Sequence, residues 1–351
     1  MDKISIMDEE HLSTFLDGMT NWLLNSGICL DNGEIYSWLN PEKPGYRYPE
    51  IQGYYIKLLS YLYQKFSDKK CMDKAHICAN NLSASLLNDG SVGKDGLKYA
   101  FDSAICFSGL FALSRVSRLS ELHLSALKKS IDFFYNSVKS KKSVFKNGIA
   151  FEDPNIWSLS YGALLIKNSI SLLEAYEFFK EDKYRKLAES MVDELFKQTY
   201  HKGYFSINSA NTYAYTHCHC YATEGMIYLN HKGYTQFKEV PLQCADWLAS
   251  KQNDDGSMYN WQMTDKFKKE KQGDATSQAI RIWLLTDKNR FKHNISKATG
   301  FLKSLQSPGG GLYYNVNSEG RRSEDMNSWV TIFAAQATLW QLEDPDPLWI
   351  V

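Results

Sequence analysis

An all-α (α/α)6 toroid, six inner helices ringed by six outer ones with short β-hairpin loops at one mouth, is the fold predicted by three features of this 351-residue chain. Mostly apolar helical segments begin near residues 50, 102, 157, 217, 274 and 327, at intervals of 52 to 60 residues. Charged amphipathic segments alternate with them. Glycine-rich turns follow the amphipathic segments. A repeat of this length is the signature of stacked helical hairpins, and six units with polar groups in one helical frame argue for closure into a ring.

Each inner segment is apolar over most of its circumference, as expected of a helix buried on several sides. They read "YPEIQGYYIKLL", "YAFDSAICFSGLFAL", "NIWSLSYGALLI", "YTHCHCYATEGMIYL", "GDATSQAIRIWLL" and "MNSWVTIFAAQATLW". The outer helices are expected over 8–26, 70–88, 120–138, 183–198, 240–252 and 292–306. Tight polar turns at Asp68, Asp182 and Asp287 join an inner helix to the next outer one. Asn-Gly, Asp-Gly and Gly-Gly signals, as in "LLNDGSVGKDG" and "LQSPGGGLYYNV", mark hairpins after the outer helices. No linker interrupts the pattern, and 1–351 reads as a single toroid domain.

Composition narrows the partners. Lys+Arg and Asp+Glu balance at 40 each and no long single-sign run stands out, so a nucleic-acid partner, which calls for a basic stripe, is not expected. No apolar run approaches a membrane span, and no secretory leader pattern opens the chain. Seven cysteines, mostly inside apolar helical patterns, read as reduced thiols and point to the cytoplasm. An aromatic content of 14%, with 22 Tyr and 9 Trp, suits a large core or a cavity lined for a sugar or a terpenoid.

Residues at i, i+4 and i+7 share a helix face. On the six starts this frame gives Glu50–Tyr54–Lys57, Asp102–Cys106–Gly109, Trp157–Tyr161–Leu164, His217–Tyr221–Glu224, Asp274–Gln278–Arg281 and Asn327–Thr331–Ala334. Charges on apolar helices must be paired or face a wet cavity, so the frame is expected to line the centre. Glu50, Lys57, Glu224 and Arg281 lie deeper and are candidates for ion pairs across the hole, including pairs that only hold the helices in register. Glu224 and Arg281 are expected close together. First-turn residues at the mouth are the candidates for ligand contact.

The densest chemistry is "AYTHCHCYATEG", residues 214–225. Neighbours on a helix point about 100° apart, so the two histidines and two cysteines cannot converge on one ion. Zinc at His217 and Cys220 would need ligands from elsewhere, and no metal or cofactor is assigned. His217 and His219 are instead candidates for proton transfer near neutral pH. Tyr221 would return the proton, and Glu224 would orient the imidazole. Tyr46, Tyr48, Tyr54, Trp157, Trp261, Tyr313 and Trp329 are candidates to meet a sugar face. Arg47, Arg281 or Arg322 are candidates to fork onto a carboxylate. Glu50, Asp102, Asp274 and Asn327 complete the expected binding set, and Asp102 or Glu50 would be the acid or base of a hydrolysis.

The elements "ADWLASKQNDDGSMYNW" and "ATGFLKSLQSPGGGLYYNV" resemble the repeat of squalene cyclases and protein prenyltransferase β subunits. The cyclases' DxDD acid is absent, and the prenyltransferases' zinc ligands cannot be placed. "YPEIQGYYIKLL", "FDSAICFSGLFAL", "THCHCYATEGMIYL" and "NSWVTIFAAQATLW" are similar to sugar-active toroids of bacterial surface-polysaccharide biosynthesis. That clan includes N-acylglucosamine 2-epimerases, unsaturated glucuronyl hydrolases and the helical domains of polysaccharide lyases. The resemblance implies an enzyme of carbohydrate metabolism acting on a sugar or a uronic-acid-containing polysaccharide, an epimerase or lyase moving a proton at a sugar carbon. It also implies a place in a polysaccharide biosynthesis complex. A glycoside hydrolase on the same fold, a non-catalytic glycan-binding toroid, and a terpenoid-cyclase-like or prenyl-binding protein remain open.

Overall fold

A computed structural model describes residues 8–94, 97–140 and 159–351. Twelve α-helices alternate between two concentric rings among these residues. The inner ring comprises α2 (Pro49–Phe66), α4 (Ala100–Ser114), α6 (Ser169–Phe179), α8 (Thr216–His231), α10 (Gly273–Asp287) and α12 (Ser328–Leu342). The outer ring comprises α1 (Glu9–Asn25), α3 (Lys69–Ser85), α5 (Glu121–Ser140), α7 (Asp182–Thr199), α9 (Val240–Lys251) and α11 (Lys292–Ser304).

Burial separates the rings. In α4 every residue from Ala100 to Leu113 is buried. In α7 only the stripe of Tyr184, Ala188, Met191, Val192, Leu195 and Thr199 is buried, the spacing of a one-faced helix. Gly53 and Gly109 let α2 and α4 touch backbone to backbone; a Cβ at Gly109 would stand 2.4 Å from the Gly53 carbonyl oxygen. Asp68 caps α3 by accepting the Lys70 N–H at 2.9 Å, which satisfies one of the free donors at a helix start.

Short strands knit the loops at the N-terminal ends of the inner helices. Two are hairpins, β2 (Val92–Lys94) with β3 (Leu97–Tyr99) and β4 (Tyr200–His201) with β5 (Tyr204–Phe205). Three of the other pairings join different repeats. β1 (Trp38–Leu39) pairs antiparallel with β11 (Met326–Asn327), which ties the first repeat to the last and closes the ring. β6 (Ala214–Tyr215) pairs with β8 (Trp261–Gln262). β9 (Lys271–Gln272) lies between β7 (Met258–Tyr259) and β10 (Asn315–Val316). At the opposite end, Trp349, Ile350 and Val351 are buried. Trp349 stacks on Tyr61 at 5.1 Å, and its carbonyl accepts from Gln336 Nε2 at 2.6 Å.

The third repeat departs from the expected pattern. Its inner helix is only α6, preceded by a 3-10 turn over Ala163–Ile166. The expected start at Trp157 lies outside the described residues. Tyr161 and Leu164 are therefore not stacked on one α-helical face, and the Tyr161 hydroxyl donates to Glu194 of the outer helix α7 at 3.3 Å. Gly162 explains the break. Its backbone runs so close to Ile207 that a Cβ would meet the Ile207 oxygen at 2.0 Å.

Candidate active site

Five inner helices begin with a residue that faces the mouth, and the residues two or three positions later face the same space. The helices α2, α4, α8, α10 and α12 have Tyr48, Tyr99, Tyr215, Gln272 and Asn327 at the cap position. Their first turns supply Glu50, Asp102, His217, Asp274 and Trp329. All ten line a cavity of about 990 Å³, with Trp38, Tyr46, Phe101, Tyr221, Asn260, Trp261, Phe267 and Tyr314 among the other walls. Strand pairing sets the walls: Tyr215 lies opposite Trp261 across β6 and β8, and Trp38 opposite Asn327 across β1 and β11. Trp261 is sandwiched between Tyr215 and Phe267, with ring centres at 4.6 and 4.2 Å.

Three carboxyls are buried in this aromatic chamber. Glu50 Oε2 accepts the Trp329 indole N–H at 2.8 Å, and Asp102 accepts the Tyr48 hydroxyl. Burial, then the negative charge of Asp102, pushes Glu50 well above the carboxylate range; the Trp329 hydrogen bond opposes this only in part. Burial lifts Asp102 to about 6 against the Tyr48 bond. Asp274 is likewise lifted to about 6 by burial, although its Oδ1 accepts the Ala275 N–H at 2.7 Å. These are the conditions that bring carboxyls to proton transfer near neutral pH.

His217 stands 3.7 Å from Asp274, Nδ1 to Oδ2. Its ring lies 4.3 Å from that of Tyr221. Burial pushes it down to about 3, Gln278 opposes this, and the cations Lys167 and Arg281 push the same way. The imidazole is therefore neutral at working pH, a hydrogen-bonding group and a weak base.

The Tyr54 and Tyr221 hydroxyls meet at 2.7 Å beneath the cavity, and the charged layer lies below them. Glu224 takes Arg281 on one oxygen and Lys167 Nζ at 2.7 Å on the other. Lys167 also sits 4.5 Å from the Tyr221 ring centre, and Arg281 reaches Gln336 at 3.2 Å. A second group joins Lys57 to Glu174 at 3.6 Å and Arg115 to Glu174 at 3.1 Å. The Ser108 hydroxyl accepts from Lys57 at 2.8 Å and donates to Glu174 at 2.9 Å.

The structure brings together Tyr46, Tyr48, Glu50, Asp102, His217, Tyr221, Trp261, Asp274, Asn327 and Trp329 from the expected set. Others lie elsewhere. His219 faces the outer ring, where its Nδ1 accepts the Phe205 N–H at 3.1 Å and its ring packs on Trp247 at 4.7 Å. Two residues along a helix turn a side chain by about 200°, which puts His219 behind His217. Glu224, Arg281 and Tyr54 lie under the floor, not in the cavity. Arg47 is exposed and held by Glu34 at 2.5 Å. Arg322 lies over the Tyr313 ring at 4.0 Å, and neither lines the cavity. Trp157 lies outside the described residues. Among the described residues, no three His, Cys, Asp or Glu side chains are grouped to hold a metal ion.

Tyr99, Tyr215 and Gln272 were not anticipated, although each precedes an inner helix whose start the repeat gives. Lys167 and Glu174 were also missed. A single acid in the apolar run "SLLEAYEFF" was the available signal for Glu174.

No family model matches the chain, and no curated protein matches it. Solved structures do. Cellobiose 2-epimerase from Bacillus thermoamylovorans superposes with a TM-score of 0.74 at 11% identity, covering 93% of this chain and 98% of that one. A sugar epimerase from a ruminal bacterium gives 0.72 at 12% identity, covering 94% and 99%. Unsaturated glucuronyl hydrolase from Streptococcus agalactiae gives 0.69 at 14% identity, covering 97% and 94%. At these identities the likeness is one of fold: the chain is an (α/α)6 toroid, the architecture of these sugar enzymes.

Proposed function

We propose that this protein is a carbohydrate-active enzyme that cleaves a glycosidic bond by general acid–base catalysis, with Glu50 as acid and Asp102 as base. The observation that supports this most is the Glu50–Asp102 pair, two buried carboxyls on adjacent inner helices that line one cavity, Glu50 bonded to the Trp329 indole and Asp102 to the Tyr48 hydroxyl. Burial raises both carboxyls, and an acid–base pair works with one of them protonated and the other ionised. Glu50 keeps its proton at neutral pH and gives it to the departing oxygen. Asp102, ionised above about 6 and steadied by Tyr48, takes a proton from the water whose oxygen bonds to the anomeric carbon as the glycosidic C–O bond breaks. The aromatic walls suit the C–H faces of a sugar, and about 990 Å³ accommodates more than one ring. The toroid neighbours, epimerases and glucuronyl hydrolases by name, agree with a sugar as ligand.

A second reading, epimerisation or elimination by proton transfer at a sugar carbon, is favoured by one contact, that of His217 with Asp274. Here Asp274 takes the proton and neutral His217 and Tyr221 hydrogen-bond the sugar oxygens.

No helix among the described residues is long and apolar enough to cross a membrane. The seven cysteines are free and buried, which supports a reducing compartment such as the cytoplasm.

Isotopes separate the two reactions. Oligosaccharides incubated with the protein in H2¹⁸O gain ¹⁸O at a new reducing end if hydrolysis occurs. In D2O they gain carbon-bound deuterium if a carbon proton is exchanged. Deuterium uptake without chain cleavage overturns the first reading in favour of the second. Binding without either label leaves a glycan-binding module.

A further inference from the structure

We infer that the sugar held at the cavity floor is a neutral one, a hexose or N-acylhexosamine, and not a uronate. This rests on the reading of the cavity as a carbohydrate site.

The argument is one of charge placement. The floor carries Glu50, Asp102 and Asp274, all on the first turns of inner helices. Among the described residues neither Glu50 nor Asp102 meets a lysine or arginine within ion-pair distance, and the partner of Asp274 is the neutral His217. A sugar carboxylate placed there would be a further negative charge in a poorly solvated chamber, where like charges disfavour one another. Carboxylates accept hydrogen bonds from sugar hydroxyls without that penalty.

The arginines expected to fork onto a carboxylate lie elsewhere. Guanidinium is the side chain best shaped for a carboxylate, yet none of the described lining residues is an arginine. Arg281 is fully buried under the floor and bound to Glu224. Arg47 is held by Glu34, and Arg322 lies on Tyr313. The segments outside the described residues contain no arginine in their sequence. Lys266 and Lys268 do line the cavity, but on an exposed stretch between β8 and β9 at its rim, where water screens their charge. The remaining polar walls include the amides Asn260, Gln272 and Asn327, suited to hydroxyl or N-acyl groups, and two further carboxylates, Glu270 and Asp325.

The test is calorimetric binding to matched p-nitrophenyl glycosides that differ only at C6: glucoside with glucuronide, galactoside with galacturonide, mannoside with mannuronide. Each is titrated into the whole protein at pH 7. At least one neutral member should bind about tenfold or more tightly than its uronide. The gap should narrow in a folded Asp102→Asn, Asp274→Asn double variant, checked by its circular dichroism, because the repulsion has been removed. A uronide that binds as tightly as its neutral partner overturns the inference and leaves the carbohydrate reading standing. If no glycoside binds, and none of a panel of longer neutral and acidic oligosaccharides does, the carbohydrate reading fails and takes this inference with it.

Discussion

Two layers of the inner ring hold buried ionisable groups, about two helical turns apart, and they treat charge in opposite ways. At the cavity floor, Glu50, Asp102 and Asp274 are buried with no lysine or arginine at ion-pair distance among the described residues, and burial raises all three carboxyls. Below the floor, Glu224 has Arg281 and Lys167, and Glu174 has Lys57 and Arg115. Paired charges hold helices together; unpaired buried acids cost stability and gain a proton affinity suited to catalysis. One fold thus separates the functional layer from the structural one by whether counter-charges are supplied.

The largest expected effect breaks the functional layer alone. Glu50→Gln or Asp102→Asn should lower turnover by about 10²–10⁴, measured on the oligosaccharide found by the isotope assay, with no loss in melting temperature. The wild-type rate should fall below a pH of about 6 as Asp102 takes up its proton. A variant that melts early and keeps its specific activity would place the carboxyl with the structural group.

The structural layer should respond the other way. Glu224→Gln leaves Arg281 and Lys167 buried without their carboxylate, which costs about 3–5 kcal/mol, read from denaturant unfolding. Unchanged stability would show that the pair contributes nothing to holding α8 and α10 together.

A pH experiment sharpens the contrast. A carboxyl whose folded pKa is raised binds more protons in the folded than in the unfolded state, so stability falls as pH rises from about 4 to about 6. Asp102→Asn or Asp274→Asn removes that loss. Each should stabilise the protein at pH 7 by ~1–3 kcal/mol and have little effect at pH 4. Destabilisation at pH 7 would mean that the ionised carboxyl is better solvated than its burial implies.

Much of this organisation was legible before any coordinates. Five of six inner starts lie within two residues of those read from the repeat, because apolar runs and glycine turns are local signals. The Glu224–Arg281 pair followed from a shared i+7 position on neighbouring helices. The third repeat was not legible, because "YGALLIKNS" is as apolar as a helix and its break depends on Gly162 packing against Ile207. Lys167, delivered to Glu224 by that break, was hidden for the same reason. The arginine fork was also misplaced: sequence gives residue type, but whether an arginine already has a carboxylate depends on tertiary neighbours such as Glu34 and Glu224.

The smallest expected effect divides a single motif. His217 and His219 are two residues apart on α8 and both buried, yet one faces the cavity and the other the outer ring. His219 accepts the buried Phe205 N–H and packs against Trp247. His219→Ala leaves that N–H without an acceptor, which costs about 1–2 kcal/mol, and should not alter turnover by the folded fraction. His217 contacts Asp274 and Tyr221 at the cavity wall, so His217→Asn should change turnover or KM while melting stays near that of the wild type. Comparing both variants by thermal melt and by rate tests the orientation of α8 directly. If His219→Ala loses activity at full stability and His217→Asn does not, the helix presents its other face to the substrate, and the acid pair on α2 and α4 would no longer share a cavity with it.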